Sequence, residues 1–374
     1  MCVRLVHERI RVKISFYIVC FLQVIFVRGL QAEVNANTLA ILINESDPES
    51  IEIGQYYQKA RSIPYENIIY LSFRKSEKAI TQAEFMQIEE QLKGKVSDKI
   101  QAYALAWRKP WRVACMSITS AFSLGFNPQY CASGCKLTRS SRYFSSQSQQ
   151  PFNDFAIRPS MLLSAGSVDG VKKLIDRSVL ADYTRPMGTA YLVSTRDKNR
   201  NVRARYFPAY ESSLNKLLNV EQVSADAIQH KKDVMFYFTG RAKVKHLRTN
   251  TFLPGSVADH LTSAGGHLFN GKQMSVLEWI DSGASGSYGT VTEPCNFLQK
   301  FPVPGIVMQR YLSGETLLES YWKGVQMPGQ GLFVGDPLVS PYKGCTVSVS
   351  QTGVFQYVRK TPENLIEQKF RNCH

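Results

Sequence analysis

The chain has 374 residues, enough for one large α/β domain or two smaller ones. Its 44% hydrophobic and 11% aromatic content is that of a globular protein and excludes a disordered or fibrous chain. The formal charge of +15 is spread over scattered lysines and arginines with no RRM, zinc-finger or helix-turn-helix signature, so nucleic acid is not an expected partner.

The N-terminus reads as a targeting segment. Arg4, Arg9, Arg11 and Lys13 precede residues 14–27, an uncharged apolar run of 14, and Leu30-Gln31-Ala32 offers a small-residue exit. A membrane span needs about 20 apolar residues. Residues 1–32 are therefore expected to be a cleaved signal peptide, with an uncleaved anchor as the alternative. No later stretch is long and apolar enough to cross a bilayer. Six cysteines then remain: Cys115, Cys131, Cys135, Cys295, Cys345 and Cys373. An even count in an oxidising compartment suggests disulfides, with connectivity open. Cys131 and Cys135 close a small ring, or each reaches elsewhere. Two further metal ligands are missing from their neighbourhood, so no metal and no other cofactor is expected.

Residues 39–43 (LAILI) read as a buried strand. Asp47 or Ser46 can cap the next helix, whose first turn suits Pro48, and Ile53, Tyr56, Tyr57 and Ala60 share its apolar face. Residues 68–73 make a second strand. Thr81 and Glu84 form a capping box, and residues 100–107 a third strand. The pattern fades over residues 109–159, which read as a long disulfide-pinned insertion. Strands follow at 161–165, 189–194 and 234–238, and helices at 167–179 and 213–218. Residues 254–263 read as a helix, placing His260 within it. A short helix at 275–280 leads into residues 283–295 (GASGSYGTVTEPC), a Gly-rich strand and loop suited to close backbone approach. Two helices around Ser313-Gly314, a strand at 331–334, a hairpin at 345–358 and a tail helix at 363–370 complete the chain.

An α/β sheet with parallel strands places ligands at strand C-termini. Five strand ends carry polar residues: Asn44 and Asp47; Thr195, Arg196 and Asp197; Thr239 and Arg241; Ser287, Thr290 and Glu293; Asp336. Arg196 and Arg241 are the anion-binding candidates, because a guanidinium fork matches carboxylate or phosphate. Singly, each of these residues also suits a cap, a turn or an ion pair. A cysteine nucleophile needs a nearby histidine or helix N-terminus. Cys295 is the candidate, with His260 or His246 as base; a disulfide or a buried thiol is the other reading. No G-x-S-x-G elbow, phosphate loop or dinucleotide fingerprint is present.

Three segments, residues 44–72, 254–266 and 283–302 with 329–338 (GQGLFVGDPL), resemble an exported-protein family of bacteria with exosortase-type sorting systems. More distantly the layout resembles the gingipain-type cysteine peptidases of the caspase-like clan. That resemblance implies a three-layer α/β sandwich with a mostly parallel central sheet. Where those peptidases carry His-Gly after a strand, this chain has Thr239-Gly240-Arg241, and no cysteine lies between Cys135 and Cys295. The fold is implied and the dyad is not. The expectation is a non-peptidase protein of the cell envelope or surface material that binds an anionic or peptide ligand at the sheet's C-terminal edge. A divergent cysteine hydrolase and a structural envelope protein are the alternatives.

Overall fold

The LAILI run forms β1 (Leu39–Asn44) and is buried along its whole length, as a strand covered on both faces must be. Asp47 caps α1 (Pro48–Arg61), accepting from the Glu49 N–H at 3.2 Å, with Pro48 opening the helix. Next come β2 (Ile68–Leu71), β3 (Ala79–Ile80) and α2 (Gln82–Leu92). The expected capping box starts α2: Thr81 N–H donates to Glu84 and Glu84 N–H to Thr81. β4 (Ala102–Leu105) follows. In the computed structural model the described residues are 33–358, other than Ser133 and Asn270. The expected signal peptide and tail helix lie outside them.

The 109–159 insertion holds β5 (Arg112–Val113), β6 (Met116–Ser117), α3 (Ile118–Leu124) and α4 (Pro151–Phe155). Disulfides pin it: Cys115 bonds Cys131 inside it, and Cys135 bonds Cys295, 160 residues away. Cys345 is disulfide-bonded as well. The insertion is more than a surface loop, because α3 is buried from Ile118 to Ser123. A helix buried all round shows no amphipathic stripe to read in the sequence.

β7 (Ser160–Leu162), α5 (Val168–Ala181) and β8 (Thr189–Ser194) match expectation. The helix expected at 213–218 is α6 (Phe207–Leu214), which starts earlier with Pro208 in its first turn. β9 (Asn219–Ser224) and β10 (Val234–Thr239) follow. The helix expected at 254–263 is a strand instead, β11 (Phe252–His260), parallel to β10 and buried from Gly255 onward. Pro254 and Gly255, which read as a helix start, sit where the ladder shifts register between Val234 and Phe236. The chain then forms α7 (Leu277–Asp281), β12 (Gly286–Thr290), α8 (Pro304–Leu312), α9 (Leu317–Gly324) and β13 (Gly331–Gly335). The expected hairpin is β14 (Val347–Val349) with β15 (Phe355–Tyr357).

Ten strands make one sheet, in the order β2-β1-β4-β7-β13-β12-β11-β10-β8-β9. Neighbours are parallel except β12 and β13, which are antiparallel. The sheet is thus two five-stranded parallel halves joined at an antiparallel seam. Counted along the chain, each half has the same order, 2-1-3-4-5. The seam turns their C-terminal edges to opposite sides.

Successive strand residues face opposite sides of a sheet. Tyr237 packs on Trp279 of α7, while Phe236 packs on Tyr311 of α8. So α7 and α8 cover different faces. α5 adjoins α7, with Arg177 Nη2 donating to the Ile280 carbonyl at 2.8 Å, and α1 adjoins α5, with Tyr56 donating to Asp176 at 2.6 Å. On the other face Trp322 of α9 and Ser123 of α3 both reach Ser160 of β7. The result is the expected three-layer α/β fold.

Candidate functional site

The antiparallel seam corrects the expectation of one shared edge. Asn44, Asp47 and Asp336 lie at the C-terminal edge of the first half. Thr195, Arg196, Asp197, Thr239, Arg241, Thr290 and Glu293 lie at that of the second. Both first-half carboxylates are structural. Asp336 is fully buried; Oδ1 accepts from Tyr57 at 2.8 Å and Oδ2 from Arg61 Nε at 3.0 Å. Asp47 caps α1 and accepts from Lys75 at 2.9 Å. Ser287 is buried inside β12, away from either edge.

In a 2-1-3-4-5 half the ligand crevice opens between the first and third strands, at their C-termini. For the second half these are β8 and β10. The chain leaving β8 bends back over this point: Thr195 Oγ1 donates to the Gly240 carbonyl at 2.7 Å, and Asn201 accepts from the Thr195 N–H at 2.9 Å. Gly240 is required there. A Cβ would lie 1.9 Å from the Arg200 carbonyl oxygen, so any side chain would push the segment off. The crevice floor is thus closed by its own chain, and polar side chains form its rim.

That rim gathers three guanidiniums. Arg196 Nη2 donates to Asp226 Oδ2 at 2.6 Å, and Arg241 Nη1 pairs with the other oxygen, Oδ1. Arg200 donates through Nη1 to Asp197 Oδ2 and through Nε to Thr262 Oγ1, each at 3.0 Å. Thr262 in turn donates to Gln273 at 2.7 Å. Arg196 is 91% exposed, so its outer edge faces solvent. The structure therefore brings Arg196, Asp197 and Arg241 together. It adds Arg200, Asp226, Thr262 and Gln273, which the sequence reading missed. Arg200 had a visible signal, a cation three residues after Asp197; Asp226 sits beyond the edge strand β9 and had none.

One step deeper, Arg203 is 3% exposed and pairs with Asp259 of β11, also donating to the Thr239 carbonyl at 2.7 Å. Burial raises the Asp259 pKa, and the Arg203 charge opposes that shift. This pair closes the ends of β10 and β11 from within.

The cysteine candidates do not assemble. Cys295 Sγ is bonded to Cys135, and a disulfide sulfur is no nucleophile. His260 is buried at the end of β11, its Nε2 facing the Met274 carbonyl at 3.1 Å and its Nδ1 accepting from Trp279 at 2.8 Å. Burial pushes its pKa down to about 4. His246 lies on the exposed connection between β10 and β11. Glu293 accepts from Ser263 Oγ at 3.1 Å and from the Cys295 N–H at 2.8 Å, so it orders the disulfide loop. The glycines of residues 283–295 do serve close packing: a Cβ on Gly289 would lie 2.5 Å from the Gly266 nitrogen.

Among the described residues there is no group of three or more His, Cys, Asp or Glu placed to hold a metal ion. Among them too, no helix is long and apolar enough to cross a membrane. No protein-family model and no curated protein matches the sequence. A solved structure described as "Structure of Protease" aligns over 90% of this chain and 84% of its own, at 12% identity and a TM-score of 0.41.

Proposed function

We propose that this chain is an exported protein that binds an anionic ligand, a carboxylate-bearing small molecule or acidic peptide, at the C-terminal edge of the second half-sheet. It acts in the cell envelope or surface material as a relative of gingipain-type peptidases without their dyad. The observation that carries the reading is the convergence of Arg196, Arg200 and Arg241 on the β8/β10 switch point, where an α/β half-sheet takes its ligand. Their partners, Asp197 and Asp226, hold the guanidiniums in place and leave outward N–H donors. Five disulfide-bonded cysteines in the described chain favour an oxidising compartment.

The test is isothermal titration with citrate and with a glutamate-rich peptide, on the full chain and on the Arg196→Ala/Arg241→Ala variant. The reading expects at least about tenfold weaker binding in the variant, the loss of charge-assisted hydrogen bonds, at unchanged melting temperature. Equal affinity in both proteins would sink the site.

A further inference from the structure

The connection from β10 back to β11 carries Lys243-Val244-Lys245-His246-Leu247-Arg248. Val244 and Leu247 are buried and fasten the segment to the α7 face, while Lys243, Lys245 and Arg248 are exposed. The rim arginines at the strand ends are each held by a carboxylate. Lys243, Lys245 and Arg248 differ: among the described residues no carboxylate lies within ion-pair distance of any of them. An unpaired cation keeps its full attraction for an external anion, and neighbouring ones add their fields.

These cations line one wall of a groove of about 670 Å³ whose other wall comes from the segment before and within α7. That second wall presents Gln273, Ser275 and Ser282, with Thr249 across from them, and Glu278 is the one carboxylate in the described lining. Each polar group there is a hydroxyl, an amide or a carboxylate, the partners that sugar hydroxyls take. We propose that this groove binds a linear acidic polysaccharide, with its anionic groups on Lys243, Lys245 and Arg248 and its hydroxyls on Gln273, Ser275 and Thr249.

Other polyanions fit the groove less well. Its large apolar residues, Val244, Leu247, Leu268 and Met274, are all buried. A bilayer would find nothing to insert, and an acidic peptide no apolar pocket to anchor it. Among the described residues no Phe, Tyr or Trp lines the groove, so the bases of a single-stranded nucleic acid would find only the His246 imidazole to stack on rather than a run of rings. The groove shares Gln273 with the rim network but none of the rim arginines, and its cations stand or fall separately from Arg196 and Arg241.

The experiment is biolayer interferometry of the full chain on immobilised polygalacturonate, with neutral dextran, poly-L-glutamate and oligo(dT) as competitors. Binding to polygalacturonate is expected to weaken between 50 and 200 mM salt and to fall at least about tenfold in Lys245→Glu/Arg248→Glu. Both positions are exposed, and far-UV circular dichroism with a thermal melt checks that the variant is folded. Arg196→Ala/Arg241→Ala should keep the polymer binding. The proposal is overturned by equal binding of the charge-reversed variant, by no binding of polygalacturonate, or by competition from poly-L-glutamate or oligo(dT) as strong as that from free polygalacturonate. Loss of polymer binding in the rim variant overturns it as well, since the polymer would then sit at the strand ends.

Discussion

The indole N–H of Trp279 donates to Nδ1 of His260 at 2.8 Å. This bond makes Nδ1 an acceptor and leaves the ring proton on Nε2, beside the Met274 carbonyl. The neutral ring therefore satisfies one donor and one acceptor in a buried site. Protonating Nδ1 would aim one N–H at another. His260 is thus a structural peg between β11 and α7, and its imidazole has no free nitrogen to offer a nucleophile.

A pH dependence follows. The folded-state pKa of His260 is pushed down to about 4, chiefly by burial, from an ordinary 6.5. The unfolded chain therefore binds this proton first. The contribution is fully present above the unfolded pKa and is lost as pH falls from 6.5 toward 4, by at most roughly 3 kcal/mol at 1.36 kcal/mol per unit. His260→Gln, whose amide can still donate and accept, should flatten that part of the profile. Urea denaturation at pH 7.5 and 4.5 measures it. An unchanged difference between the two pH values in the variant rejects the assignment.

Asp226 joins Arg196 and Arg241 and competes with any ligand for them. Hydrogen bonds from Arg196 and then Arg241 hold its carboxyl well below the usual carboxylate range, so it stays ionised throughout the physiological range. Asp226→Asn keeps the shape and removes the charge. Citrate should then bind about threefold to tenfold more tightly at low salt, because the guanidiniums face less internal competition. Isothermal titration of both proteins measures this. Weaker binding in the variant would instead mean that Asp226 mainly positions the two arginines.

Most of the fold was legible where burial and period agree. β1, β10 and β13 are short apolar runs covered on both faces, and α2 announces itself by the Thr81–Glu84 box. Others were not legible, and three of them show why. α3 is buried all round, β9 is an edge strand with only Val220 buried, and β11 begins with a Pro-Gly pair that reads as a helix start. The site suffered from a subtler gap. Arg196, Asp197 and Arg241 were found from their place after strands, but the direction of a strand leaves no mark in its residues. Only the β12/β13 pairing reveals that Asp47 and Asp336 belong to the opposite edge. The pairing of Cys135 with Cys295 was equally silent, since six cysteines allow many connectivities.

That disulfide ties the insertion to the loop after β12 across 160 residues. Breaking it in a Cys135→Ser/Cys295→Ser variant should lower stability by about 2–4 kcal/mol, the usual effect of opening a long loop in the unfolded chain. Sheet content should stay the same, because neither cysteine lies in a strand of the main sheet. Equilibrium unfolding and far-UV circular dichroism read these together. Thiol labelling of the unreduced native protein should leave Cys295 untouched, and fast alkylation of it would falsify the bond and revive the nucleophile.

Glu319 gives a dependence of opposite sign. Its Oε2 accepts from the Thr316 N–H at 3.1 Å and from Oγ1 at 2.7 Å, while Oε1 has no hydrogen-bond partner among the described residues. Burial raises its pKa to about 7; the Lys323 charge opposes this and Glu315 adds to it. A carboxyl raised above its unfolded value of 4.5 holds its proton more tightly when folded. Its contribution is complete below 4.5 and is lost as pH rises through 7. Glu319→Gln keeps an acceptor for the Thr316 cap and never ionises. The variant should match the natural protein near pH 4.5 and exceed it by roughly 1–3 kcal/mol at pH 8. His260 titrates alike in both proteins, so the difference between their urea profiles isolates Glu319. A gap that stays constant with pH, or that favours the natural protein at pH 8, would mean the ionised carboxylate is satisfied where it stands.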